Sequence, residues 1–393
     1  MSYLMDTYAR QAVAFDRGEG VWLWDTHGKR YLDALAGVAV NGLGHAHPQL
    51  TAAVCEQAGQ LIHSSNIYQI TLQEQLAERL CHIAGMDTVF FCNSGCEANE
   101  AAIKLARLHG HHRGIELPTI IVMEKSFHGR TMATLSATGN RKVQAGFEPL
   151  LTGFVRVPYN DVDAVRHVAE HNHNVVAVLV EPIEGEGGVY VPNTGYLSGL
   201  REICTAQGWL LMVDEVQTGI GRTGAWFGFQ HEIVQPDVMT LAKGLGSGVP
   251  IGACLARGDA AHVFKPGNHG STFGGNPLAC AAGLTTLQIL QQDNLLDNAR
   301  VVGQAIRDGM AAALAGVSGV LNIRGMGLMI GIELDRSCAV LVGQAMDAGL
   351  LINVTADKVV RLLPPLIMTL EESRLLVGML APLIRNFLSK APA

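Results

Sequence analysis

The chain has 393 residues, too many for one small core, so two domains are the natural expectation. Hydrophobic residues make up 48%, charged residues only 16%, and there are 45 glycines, which excludes disorder, collagen and a long coiled coil and suits a large α/β protein. A net charge of -7 gives no electrostatic reason to expect nucleic acid, and no apolar run reaches the roughly 18 residues of a membrane span.

Near the start, residues 21–24, a turn at Asp25-Thr26-His27-Gly28 and residues 31–33 predict a hairpin. From about residue 50 to 275, apolar strands alternate with helical stretches. The strands fall at 89–92, 120–123, 175–180, 210–213, 238–241 and 252–256. Helix-length connections between them predict a mostly parallel central sheet with helices on both faces. After Pro277 a helical stretch runs towards 315, followed by strand-like runs at 327–334 and 359–363 and a helix from about Glu371. The expected division is an N-terminal segment (1–50) packing with the small domain, a large domain (51–280) and a small C-terminal α+β domain (281–393).

Lys243 follows the apolar run Val238-Met239-Thr240-Leu241-Ala242 and precedes Gly244-Leu245-Gly246. It stands where a buried strand gives way to a glycine-rich loop, the place where open α/β sheets bind ligands. A lysine desolvated there loses its proton more readily and attacks an aldehyde as a free amine. On position alone, a lysine snorkelling from a strand end accounts for it equally well. Asp214 shifts that balance, because it ends the preceding strand, Leu210-Leu211-Met212-Val213. Pyridoxal phosphate (PLP) chemistry needs an anion against the pyridine nitrogen and an amine for the aldehyde, and Asp214 with Lys243 supplies both. Val216 is then placed for one ring face and Gln217 for the ring hydroxyl.

The turn Asn93-Ser94-Gly95-Cys96-Glu97 opens a helical stretch, with Ser94 as N-cap and Glu97 at the capping-box position. Such a helix N-terminus suits a phosphate, although an ordinary well-capped helix reads the same way. Among the eight scattered cysteines, the closest pair (Cys92 and Cys96) lacks the second pair of a zinc site, and reduced thiols in the cytoplasm are the simplest reading. The opening MSYLMDTYARQAVAFDRGEG does not have the form of a secretion signal. His45 and His47 lack the partners of a metal ligand set, and His109, His111, His112, His171 and His173 read as solvated loops. No metal is expected.

Seven segments together resemble the class III aminotransferases of the fold-type I PLP family. They are 93–100, 126–130, 181–188, 214–221, 241–246, 271–277 and 361–366, in the family's order. The closest likeness within the class is to the acetylornithine aminotransferases. The resemblance implies that Lys243 is bonded to PLP, that Asp214 faces the pyridine nitrogen, that Ser94, Gly95 and Cys96 hold the phosphate, and that Phe127 stacks on the ring. It implies a homodimer with shared active sites, in which Thr272 reaches the partner's phosphate. Arg130 and Ser271 match substrate-binding positions, Arg361 matches the arginine that takes the α-carboxylate of 2-oxoglutarate, and Glu186 matches the glutamate that pairs with it. Cys96 stands where many relatives carry threonine, which predicts weaker cofactor retention. The stretch Ala36-Gly37-Val38-Ala39-Val40 lacks a tyrosine found in ornithine aminotransferases and implies room for an acyl group. The expected reaction passes the terminal amine of N-acetyl-L-ornithine to 2-oxoglutarate. Other ω-amino donors (ornithine, succinylornithine, 4-aminobutyrate, β-alanine) are the alternatives within enzymes, and a non-enzymatic ligand-binding protein is the alternative outside them.

Overall fold

The computed structural model describes residues 3–390. Its centre is a seven-stranded sheet of β4 (Thr88–Cys92), β5 (Thr119–Met123), β6 (Phe154–Val157), β7 (Val175–Val180), β8 (Leu210–Asp214), β9 (Val238–Leu241) and β10 (Gly252–Ala256). In space the order is β4-β10-β9-β8-β7-β5-β6, and only β10 runs against its neighbours. β7 shows why such strands read as unbroken apolar runs. Val178 and Val180 pack into one hydrophobic cluster, Val176 and Leu179 into another across the sheet, and all are buried. A parallel strand covered on both faces has no solvent side to carry polar residues. Truncating one of these side chains to alanine costs about 2–5 kcal/mol where a large residue leaves a cavity.

Two further sheets lie outside this centre. The first joins β1 (Phe15–Glu19), β2 (Trp22–Asp25) and β3 (Arg30–Asp33). The second contains β11 (Val320–Met326), β12 (Met329–Leu334), β14 (Asn353–Thr355) and β15 (Val359–Leu362). A two-residue strand, β13 (Leu350–Leu351), pairs in parallel with β3, so the chain's beginning is hydrogen-bonded to its last third.

Several elements differ from the sequence expectation. β6 was missed because Phe-Val-Arg-Val is short and sits at the sheet edge, where the apolar signal is diluted. The expected strand over 327–334 is observed as β12; the turn at Gly327 and Leu328 joins it to β11, which the sequence reading did not include. The stretch after Pro277 is two helices, Pro277–Gln292 and Leu295–Ala313, parted at Asn294, whose φ of 49° is a conformation asparagine tolerates. His109, His111 and His112 lie in the last turns of the helix Gly95–His112 rather than in a loop. His171 ends the helix Val162–His171, with His167 and Glu170 beside it on the exposed surface. Residues Ala36–Ala39 form a left-handed turn, with φ between 50° and 67°. Holding Ala36, Val38 and Ala39 there costs about 1–3 kcal/mol each, and Asp33 Oδ1 opposes that strain by accepting the N–H of Leu35 and Ala36.

Candidate active site

The C-terminal ends of the parallel strands converge on a cavity of about 400 Å³. Ser94 and Gly95 follow β4, Phe127 follows β5, Glu181 follows β7, Asp214 ends β8 and Lys243 follows β9, and all line it. Each comes from a different strand, so the sheet order decides which of them meet.

Asp214 is buried and held from three sides. Asn99 Nδ2 donates to Oδ2 at 2.7 Å, His128 Nδ1 lies 2.8 Å from the same oxygen, and the backbone N–H of Val216 donates to Oδ1 at 3.0 Å. Thr240 in β9 hands its hydroxyl proton to Asn99 Oδ1 at 2.7 Å, which fixes the amide so that its NH₂ faces the carboxylate. A buried carboxylate bonded on both oxygens is fixed in direction. Asn99 and His128 were not singled out from the sequence. The signal was present: an asparagine one turn into the cradle helix and a histidine five residues after a predicted strand, both inside matched segments.

Lys243 has φ of 42°, a strained setting for a side chain of its size. Burial pushes its amine below the usual lysine range; Glu186 opposes this and Arg361 adds to it. The result is an amine that gives up its proton more easily than a surface lysine does.

The helix Gly95–His112 begins at the cavity. Ser94 Oγ accepts the N–H of Glu97 at 3.2 Å, as expected of an N-cap. Glu97, however, reaches one residue further back than a reciprocal box requires, taking the N–H of Asn93 at 2.6 Å. Gly95 and Cys96 occupy the first turn, where backbone N–H groups have no intrahelical acceptor and the helix dipole is positive. Gly95 is required by its neighbour, since a Cβ there would stand 2.6 Å from Val216 Cγ1.

The remaining expected residues divide into those at the cavity and those outside it. Phe127 lines it, its N–H held by Glu181 Oε2 at 3.0 Å, and the Arg130 guanidinium stands 5.7 Å from the Phe127 ring centroid. Burial raises the Glu181 carboxyl to about 7, with His128 pulling against it. Arg361, buried in β15, bonds Glu186 Oε1 at 2.6 Å and Asn353 Oδ1 at 2.9 Å. Gln217 lines the cavity but also turns its Oε1 to Arg361 Nη1 at 3.3 Å. Burial raises the Glu186 carboxyl, but Arg361, Lys243 and Gln217 together outweigh it and leave the group below the ordinary glutamate value. Ser271 stays near the cradle through Asn93 Nδ2 at 3.3 Å, whereas Thr272 is exposed and away from the cavity. Of the 36–40 stretch, Val40 rather than Gly37 lines the cavity.

This set suits PLP: N–H groups for a phosphate, apolar walls at Val216 and Phe127, a fixed anion for a pyridinium, and an amine for an aldehyde. The sequence matches the family Aminotransferase class-III over residues 4–384. It is 63% identical to an acetylornithine aminotransferase of Nitrosomonas europaea over 99% of both chains. It is 57% identical to an acetylornithine aminotransferase 1 of Bordetella bronchiseptica, again over 99% of both. The fold superposes on the ornithine aminotransferase of Toxoplasma gondii with a TM-score of 0.95 at 36% identity, covering 99% of this chain and 94% of that one. For an acetylornithine aminotransferase of Elizabethkingia anophelis the values are 0.87 and 37%, covering 98% and 97%. The chain belongs to the class III aminotransferases and is a PLP-dependent enzyme.

Proposed function

We propose that the enzyme moves the terminal amino group of N-acetyl-L-ornithine to 2-oxoglutarate, giving N-acetylglutamate semialdehyde and glutamate, a step of arginine biosynthesis. The observation that carries this reading is the Arg361–Glu186 pair at 2.6 Å, beside a lysine whose amine is depressed by burial. Two substrates of different shape share one site. With the pair closed, no free guanidinium faces an α-carboxylate, and a terminal amine enters instead. With Glu186 swung aside, Arg361 binds the α-carboxylate of 2-oxoglutarate bidentately. The names of the relatives support the donor assignment.

Bound PLP supplies an aldehyde to accept the amine and a protonated ring to draw off the electrons of the adjacent C–H bond. The chain's residues do the rest. Lys243, whose amine burial makes easier to deprotonate, would hold the cofactor aldehyde at Nζ and would move the proton at the reacting carbon. Asp214, fixed by Asn99 and His128, would hold the proton on the pyridine nitrogen. Gly95 and Cys96 with Ser94 would hold the phosphate, and Phe127 and Val216 would confine the ring, with Gln217 and Ser271 toward its margins. Arg130 takes the donor's carboxylate at the cavity mouth.

We further infer a cytoplasmic homodimer. Leu61, Ile62, Ile67, Tyr68 and Phe273 are exposed, and Asn66 ties their segment to the carbonyls of Ser271 and Gly274. An apolar surface beside an exposed Thr272 fits a second copy whose phosphate site that hydroxyl completes. Eight unpaired cysteines suit a reducing compartment, and no helix among the described residues is long and apolar enough to cross a membrane. The division at about residues 50 and 280 belongs to the same reading, supported by the β3–β13 pairing.

The test is kcat/KM with 2-oxoglutarate for N-acetylornithine against free ornithine. At least tenfold preference for the acetylated donor is expected. Equal or better use of ornithine overturns the donor assignment.

A further inference from the structure

The substrate arginine of the proposed reaction, Arg130, sits on a loop with little regular structure of its own. What holds that loop is one face of the cradle helix. Cys96 Sγ accepts the backbone N–H groups of Arg130 and of Thr131, each at 3.3 Å. The same sulfur lies 3.2 Å from the hydroxyls of Thr131 and Thr134. One turn along, Glu100 Oε1 accepts the N–H groups of Ala133 and Thr134, each at 3.2 Å, and the Thr131 hydroxyl. Residues four apart stand above one another on a helix, so Cys96 and Glu100 form one continuous rail. The loop has been shaped to it: Gly129 has φ of 141°, and a Cβ there would come within 2.6 Å of Cys96 Sγ.

The direction of the sulfur matters. Its partners are the loop, so its contribution goes to Arg130 rather than to the phosphate, for which the N–H of residue 96 serves whatever the side chain. A sulfur is large enough to accept two N–H groups at long range; a methyl accepts none, and a serine hydroxyl extends less far.

We propose that Cys96, together with Glu100, is a positioning residue for Arg130 and thereby a determinant of affinity for the donor's carboxylate end. The inference rests on the reading of Arg130 as the carboxylate anchor. It moves the expected consequence of cysteine at this position from cofactor retention to substrate specificity.

The experiment uses the PLP-loaded enzyme and the variants Cys96→Ala, Cys96→Ser, Glu100→Gln and Arg130→Ala. Amide hydrogen exchange at residues 130–134 and KM for N-acetylornithine are measured, with PLP affinity followed by absorbance. Cys96→Ala is expected to speed exchange at Arg130 and Thr131. It is expected to raise donor KM about five- to tenfold, with the effect on KM exceeding that on kcat and on PLP affinity. Glu100→Gln should act on 133 and 134, and Cys96→Ser should be intermediate. Unchanged exchange, or a fall in PLP affinity with donor KM at the wild-type value, overturns the proposal. If Arg130→Ala leaves donor KM unaltered, the anchor reading itself fails, and the exchange data still decide whether Cys96 holds the loop.

Discussion

Asp214 and Glu186 are both carboxylates of the same site, and the structure holds them in opposite ways. Asp214 is locked from three elements: a helix side chain, the histidine after β5 and its own backbone two residues on. Its fixing residue Asn99 is itself fixed by Thr240. Glu186 is a third exposed at its side chain and meets the buried Arg361. Its backbone is anchored, since the Thr355 hydroxyl donates to its carbonyl, and its carboxylate is held by Arg361. On the proposed mechanism, a charge needed at every step is over-determined, and a charge that must step aside once per half-reaction is held by partners a substrate can replace.

The contrast can be broken first at its centre. Lys243→Ala should retain the fold and lose turnover to background, since among the described residues no other lysine lines the cavity; residual turnover above about one part in a thousand would shift that task to another group. Asp214→Asn keeps the shape of the locked anion and removes its charge. A fall in kcat of about 10²–10³-fold is expected, with a much smaller loss of PLP affinity, and a near-normal kcat would remove Asp214 from the mechanism. Acting on the movable partner should give a different kind of result. Glu186→Ala leaves Arg361 open to α-carboxylates, so activity with simple α-amino donors should rise relative to the terminal amine by about tenfold. An unchanged donor profile would make Glu186 an ordinary loop carboxylate.

The smallest effect concerns a third carboxylate, Glu184. It is buried, its Oε1 has no partner among the described residues, and burial followed by the Glu181 charge pushes it up to about 9. An ordinary glutamate ionises near 4.5, so folding takes up a proton between these values. The group's contribution to stability is therefore present at low pH and falls as pH rises through that window, by at most about 1.4 kcal/mol per pH unit. Glu184→Gln cannot ionise, so its Tm should rise relative to wild type between about pH 6 and pH 9. Parallel Tm curves over that range would show that Glu184 is ionised in the folded protein.

The main sheet was legible because its strands are buried on both faces and carry unbroken apolar runs, as in Val175–Val180. Edge strand β6 was not, since it is four residues long with the exposed Arg156 inside it, and only pairing with β5 makes it a strand. The left-handed turn Ala36–Ala39 was equally hidden, because Ala-Gly-Val-Ala contains one residue suited to positive φ and three that are not. Its shape is imposed from outside, by Asp33 and by the strands it connects.

For the site, the sequence by itself determined the chemistry available: a lysine and an aspartate at successive strand ends, a capped helix turn, and arginines for carboxylates. Those follow from local rules of burial, capping and turn formation, which act over a few residues. Only the tertiary structure decided which side chains serve them. Asn99 and His128 meet Asp214 from 115 and 86 residues away, and Arg361 meets Glu186 from 175. Cys96 looks like a phosphate ligand in the sequence, yet its sulfur faces the loop of Arg130. Contacts of that range are set by sheet order and by how separate sheets dock, and no local pattern of residues encodes either.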